Sequence, residues 1–406
     1  MAGVLTVEPP ATGLERAAFW SLLAFAAATQ ISIAVAGIFL TLTALLWAAL
    51  VIRGRERVEV PRMFWPLVAY AAWTLVATTF SVEPWTSLID DKQLALFIIV
   101  PIAYRLLPGQ RSLTAVDVVI TIGAVTAVFG IVQFGILKFD SLGKRPEGFL
   151  SHYMTYSGVL MLVACTAAAR ILFRHQDRMW ASLVMPALIV ALATTLSRNA
   201  WVGACAGIGL LLLIRDFRLV ALLPVVVALF IAFAPPTVSD RFYSMFSLHG
   251  GDSDASVQSN RDRVAMIRTG LRIIKDDPLT GVGPEMIGPT YSFYRHPDAV
   301  KQLNPHLHNV PVQIAAERGL PALFIWVWFV VTLIRDFVKK RNSTALPSLP
   351  TAGLACVVAM VAAGMFEYNF GDSEFLMLFL LLITLPYAAD RRADTAPAVA
   401  RPRRAA

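Results

Sequence analysis

Arg198 stands in a polar break of three residues, Ser197-Arg198-Asn199, between two uncharged blocks of the chain. So short a connection leaves the guanidinium at the face of whatever the blocks are buried in. If that is hydrocarbon, drawing the charge inward costs about 2.5–3.5 kcal/mol on insertion scales. The side chain then either snorkels to headgroup phosphates or offers a planar, permanently charged fork to a bound diphosphate. A second group is Arg261, Arg263, Arg268 and Arg272, spaced for one helix. A third is Asn304-Pro305-His306-Leu307-His308-Asn309, just ahead of the apolar run VPVQIAAERGLP. An imidazole, titrating near 6.5 as a residue type, can take a proton from a hydroxyl. The fourth is an acidic turn, Glu367 to Glu374, containing Asn369 and Asp372. On residue type alone each of these also has a plain reading: a lipid-facing or solvated helix face, an interfacial histidine and an ordinary solvated turn.

The elements that must position these groups are apolar. The chain of 406 residues is 57% hydrophobic and 15% charged, against about a quarter charged in soluble domains. Charge-free blocks fall at 17–34, 36–52, 63–80, 93–107, 114–135, 152–169, 180–196, 200–214, 219–234, 319–334, 350–366 and 375–389, the first pair split near Gly37. Each approaches the length that crosses hydrocarbon as a helix. The expectation is an all-α polytopic membrane protein of about twelve transmembrane helices with one long periplasmic loop containing amphipathic helices. Residues 1–234 hold helices one to nine, 235–318 the long loop, 319–389 helices ten to twelve, and 390–406 a disordered basic tail near lipid headgroups.

Lys and Arg set the orientation. With both termini cytoplasmic, the short loops on the opposite side keep only Lys92, Lys138, Lys144, Arg145 and Arg198, the bias that the positive-inside rule requires. The net charge of +8 is therefore topological and calls for no nucleic acid. The N-terminal MAGVLTVEPPATGLER lacks the basic-then-apolar order of a signal peptide and reads as a cytoplasmic lead-in. Cys165, Cys205 and Cys356 lie dispersed inside apolar blocks and read as packing residues. The chain contains no GxxxxGK[ST], GxGxxG after a strand, HExxH or CxxC, so neither nucleotide, cofactor nor catalytic metal is expected.

Within the long loop, HGGDSDASVQSN reads as a flexible stretch. Ser259 with Asp262 resembles a capping box. Val264, Ile267, Leu271 and Ile274 then form an apolar stripe, with Arg261, Arg268, Arg272 and Lys275 beside it and Arg263 at its other edge. Asp276-Asp277-Pro278 ends the helix.

In this order the pieces resemble the O-antigen ligase and polymerase superfamily of membrane glycosyltransferases, whose fold is GT-C-like. Its pattern has a serine–arginine pair at a periplasmic turn, an arginine ahead of a helix ending in P-x-x-G-x-G, and a histidine–asparagine pair before a helix ending in E-x-G. This chain has Ser197-Arg198, Arg263 before Pro278-Leu-Thr-Gly281-Val-Gly283, and His308-Asn309 with Gln313, Glu317 and Gly319. Arg145-Pro-Glu-Gly148-Phe-Leu-Ser-His152 resembles the family's R-x-x-G-x-F segment, and Glu367–Glu374 its acidic turn. Pro321 and Ile267 depart from residues common in the family.

The resemblance implies a lipopolysaccharide O-antigen ligase of the bacterial inner membrane, passing undecaprenyl-diphosphate-linked O-antigen to a lipid A–core hydroxyl by inversion. It implies Arg198 and Arg263 on the diphosphate, with Arg261 and Arg145 as helpers, and His308 as general base. Asn309, His306, His152, Glu367 and Asp372 would support them. Polymerase and protein O-oligosaccharyltransferase activities share this apparatus. A lipid-linked-sugar transporter shares the composition, but would hold ionisable groups near mid-membrane, where these blocks carry none.

Overall fold

The computed structural model describes residues 12–391 apart from 175–177, several positions between 223 and 233, and 244–254. Half of the apolar block 219–234, the first half of HGGDSDASVQSN and the tail after Arg391 thus lie outside the described residues. The described chain is helical, with one isolated bridge between Ser141 and Lys144. The α-helices are α1 Gly13–Ala28, α2 Ile33–Gly54, α3 Phe64–Thr79, α4 Pro84–Asp90, α5 Ile99–Leu106, α6 Gln110–Gly135, α7 Tyr153–Phe173, α8 Arg178–Thr194, α9 Arg198–Arg215, α10 Pro236–Tyr243, α11 Ala255–Asp276, α12 Ile287–Tyr294, α13 Val310–Lys340, α14 Ser348–Gly364 and α15 Ser373–Ala389. Five of them, α2, α6, α7, α9 and α13, are long and apolar enough to cross a membrane, and α3, α8, α14 and α15 are shorter apolar helices. This is a membrane protein.

Two blocks break differently from the reading above. The first pair separates at Thr29–Ser32 rather than Gly37, which lies inside α2. Polar side chains fix the break: Thr29 Oγ1 donates to the Ala26 carbonyl at 2.9 Å, and Gln30 Nε2 to that of Val119 at 3.1 Å. The block 93–107 is a 3-10 turn, Asp91–Ile98, followed by α5. Pro101, in the first turn of α5, has no amide to return to Phe97, so the α-helix does not extend back through that turn.

α7 is buried from Thr155 to Arg170 and packs with α9, α14 and α15. Gly203 and Gly207, one turn apart on α9, leave room for the Ala359 and Ala355 carbonyls of α14, a small-residue contact of the kind that draws apolar helices together without a hydrophobic driving force. The long segment after α10 forms its own small core. Met266 and Ile273 of α11 meet Ile287 and Tyr291 of α12 and Leu307.

That packing corrects the stripe. Val264 and Leu271 are half exposed, whereas Asp262, Ala265, Met266, Thr269, Gly270 and Ile273 are buried. The smaller residues won the inner face because Gly270 admits Val312 and Leu307 close to the helix axis. The capping box is also corrected. α11 begins at Ala255, so Ser259 is inside it. Asp262 instead accepts the backbone amides of Val300 and Lys301 at 3.0 and 3.2 Å.

Candidate active site

Four arginines from four parts of the chain line one cavity of about 300 Å³. Arg198 opens α9 after a turn in which Leu196 takes φ 55°. It is buried, and its Nη2 donates to Asn260 Oδ1 of α11 at 2.9 Å. Arg263, two turns into α11, is half-buried on the same cavity. Arg145 lies across the ring of Tyr153, 4.2 Å from its centroid, with Nε donating to the Leu142 carbonyl at 3.1 Å. Its loop is pinned by Gln133 of α6, whose Oε1 accepts the Glu147 and Gly148 amides at 3.1 and 2.8 Å. Arg241 of α10 is buried and donates from Nε to the Leu196 carbonyl at 3.3 Å.

Lys301 joins them in the lining, and the one carboxylate there among the described residues, Asp262, is engaged by the loop amides. Burial, then the charges of Arg198, Arg145 and Arg263, push the Arg241 guanidinium down to about 10. Burial also lowers Arg145, with Arg263 adding to it and Tyr153 opposing. Guanidinium groups crowded into one cavity repel one another, an arrangement that a multiply charged anion would relieve.

A second cavity, about 380 Å³, adjoins the first, and His308, Met154, Asn199 and Lys301 line both. His308 takes φ 49°, a left-handed conformation uncommon outside glycine. Its neighbour explains how this is held. Asn309 caps α13 by accepting the Val312 amide at 3.0 Å and donates from Nδ2 to the Met365 carbonyl at 3.0 Å. On the other side, the Leu307 amide donates to Gln313 Oε1 at 2.6 Å.

The imidazole Nδ1 of His308 lies 2.8 Å from Glu367 Oε1. Burial would raise Glu367, but the hydrogen bond and charge of His308, the Tyr368 amide and Arg263 together hold it below the usual carboxylate value. The ionised carboxylate therefore accepts from Nδ1–H, leaving Nε2 as the basic nitrogen. This is an imidazole oriented by a carboxylate, the arrangement of a general base.

The rings of His306 and His308 are 6.2 Å apart and both line the second cavity. Burial and His308 lower the His306 imidazole. His152 is exposed at the same cavity. Asp372 caps α15 through the Phe375 amide at 2.9 Å, accepts the Thr155 hydroxyl, and is raised by burial.

The glycine motifs build the platform beneath. Val282 and Gly283 donate their amides to the Ala316 and Glu317 carbonyls at 3.0 and 2.9 Å, and Leu320 returns one to Pro278 at 2.8 Å. Gly281 takes φ 65° and Gly319 φ 77°, and a Cβ at either would run into the facing backbone. Only glycine fits both demands. Buried Glu317 accepts from Gln313 Nε2 at 2.8 Å and from the Glu285 amide at 3.1 Å. The P-x-x-G-x-G and E-x-G segments are thus two edges of one backbone clamp that fixes the entry of α13.

The geometry brings together Arg145, Arg198, Arg263 and His308, then His306, His152, Glu367 and Asp372 around the adjoining cavity, with Asn309 beneath. Arg261 is the exception. It is exposed on α11 and outside the lining of either cavity, because successive helix positions are about 100° apart and Arg263 already faces inward. Arg241 and Lys301 were missed. Both lie in the long segment, where Lys and Arg are common enough that spacing singles out neither. Among the described residues, no three His, Cys, Asp or Glu groups converge as a metal site would require.

No curated protein matches the chain. The family model described as O-antigen ligase matches residues 183–327, a stretch from mid-α8 to mid-α13 that contains Arg198, Arg241, Arg263, the glycine clamp and His308. Across those residues the chain is similar to the O-antigen ligase family.

Proposed function

We propose that the protein transfers O-antigen polysaccharide from undecaprenyl diphosphate to a sugar hydroxyl of lipid A–core, needing neither nucleotide nor metal. The observation that carries this reading is His308 on the shared wall of two cavities, one crowded with guanidinium groups and one not. The donor's diphosphate occupies the cationic cavity, held by Arg145, Arg198, Arg241 and Arg263. The acceptor oxygen attacks the anomeric carbon from the His308 side, and the bond from that carbon to the phosphate oxygen breaks. The electron pair leaves on the diphosphate, where the arginines stabilise it. His308 Nε2 takes the hydroxyl proton while Glu367 steadies the imidazolium. Displacement in one step inverts the anomeric centre. The proton transfer accounts for about 10²–10⁴-fold in rate.

The proposal includes twelve spans in the inner membrane, both termini cytoplasmic and the two cavities periplasmic, resting on the Lys and Arg distribution.

A deletion strain tests the reading. It should accumulate full-length O-antigen on the lipid carrier and leave lipid A–core uncapped. Caps of a single repeat would identify a polymerase instead, and unchanged lipopolysaccharide would overturn both assignments.

A further inference from the structure

The charge sorting of the two cavities carries a consequence for the acceptor. We infer that the second cavity is the acceptor subsite and that it selects a sugar bearing no phosphate, with Glu285 and His306 as its recognition residues. This rests on the transfer reading above.

Among the described residues, the first cavity sets Arg145, Arg198, Arg241, Arg263 and Lys301 against Asp262 alone. The second sets Glu285, Glu367 and Asp372 against Lys301, with His152, His306 and His308 between them. A phosphate entering the second would meet three carboxylates. A sugar hydroxyl meets acceptors instead. Glu367 is buried, and its Oε2 has no hydrogen-bond partner among the described residues, while Oε1 is engaged by His308. A buried carboxylate oxygen left so is placed to accept an O–H from a ligand. Both oxygens of Asp372 are already taken by the Phe375 amide and the Thr155 hydroxyl, so it supplies charge rather than contact.

Glu285 and His306 are differently placed. Glu285 holds φ 62° with its amide fixed on Glu317 Oε1 at 3.1 Å, and its side chain is exposed at the mouth. His306 is half-buried, 6.2 Å ring to ring from the proposed base and 6.0 Å from Tyr368. Met161 and Phe375 give the cavity an apolar floor, against which the C–H face of a sugar ring can lie. A sugar seated between them carries its hydroxyl to His308, with the diphosphate on the far side of that residue, as one-step displacement requires.

The test is equilibrium binding to the purified full-length protein without donor. The probe is delipidated core oligosaccharide, used with its terminal sugar either unphosphorylated or phosphorylated. Glu285→Gln and His306→Gln should each weaken binding of the unphosphorylated probe about tenfold, the loss of one hydrogen bond to a charged or imidazole group. Arg272→Ala, on the exposed face of α11, should leave it unchanged. The phosphorylated probe should bind the wild type more weakly than the unphosphorylated one. Equal binding by wild type and both variants, preference for the phosphorylated probe, or no binding by the wild type would each overturn the inference.

Transfer from a polyprenyl-diphosphate-linked glycan to lipid A–core is measured alongside. If the binding pattern holds and no glycan moves, the transfer reading fails, and what stands is a sugar-binding cavity that excludes phosphate. If glycan moves and both variants keep the wild-type acceptor KM, the subsite fails alone.

Discussion

His308 Nδ1 and Glu367 Oε1 lie 2.8 Å apart although 59 positions separate them in the chain. The pair exists because Asn309 ties the start of α13 to the Met365 carbonyl at the end of α14, so one asparagine both caps a helix and presents the histidine to its carboxylate. Glu367→Gln keeps the shape and removes the charge. It should lower kcat about 10²-fold with donor KM unchanged, the scale of general-base help. An equal fall in kcat/KM for the donor at every acceptor concentration, with no change in kcat, would mean that Glu367 acts on donor binding instead.

The same carboxylate sets an acid limit on stability. Its folded-state pKa lies below the ordinary 4.5, so its stabilising contribution is complete above the unfolded value and lost as pH falls through the folded one. Thermal unfolding in detergent should be insensitive to Glu367 from neutral pH down to about 5 and lose its contribution below that. Glu367→Gln should flatten the acid limb, seen as a smaller fall in Tm between pH 5 and 3 than in the wild type.

The arginines should separate into two classes. Arg198→Ala and Arg263→Ala should abolish transfer, and Arg241→Ala should raise donor KM at least tenfold; lysine replacements should recover only part, since an ammonium lacks the planar fork. Arg261→Ala, Arg268→Ala and Arg272→Ala should remain within about threefold of wild type. Arg268 is spent on Asp298 at 2.8 Å and Arg272 on the Arg295 carbonyl at 3.2 Å, both exposed, where such pairs contribute about 0–1 kcal/mol. Donor-dependence curves for the six variants decide it, and uniform loss across both classes would refute the cavity assignment.

His308→Ala should stop transfer while leaving expression and donor binding intact. His306→Ala should retain most of kcat at saturating acceptor and show its defect in acceptor KM. The reverse ranking, measured side by side, would move the base to His306.

Gly319→Ala should cost folding stability on the order of 1–3 kcal/mol, the range for a strained backbone conformation, and more where the facing backbone cannot move. A Cβ there meets the Leu279 carbonyl. A melting temperature equal to wild type would show that the clamp gives way.

Reporter fusions at Ser253 check the proposed orientation: only reporters active outside the cytoplasm should signal, and a cytoplasmic signal there would put both cavities on the wrong side.

The helical membrane class was legible in the sequence because hydrocarbon imposes one demand everywhere: an uncharged stretch must satisfy its own backbone. Ser197-Arg198 and His308-Asn309 were legible too, since charged or capping residues at the end of an apolar block have few places to go. Arg263 was separated from its neighbours by helix periodicity alone, yet the stripe that set it apart was assigned one step out of phase. Periodicity gives a face, and only packing against Val312 and Leu307 could say that Gly270 and Ala265 lie inward while Leu271 does not. Arg241, Lys301 and the pairing of His308 with Glu367 belong wholly to the tertiary structure. They arise where segments far apart in sequence converge, and charge and spacing along a chain carry no record of that distance.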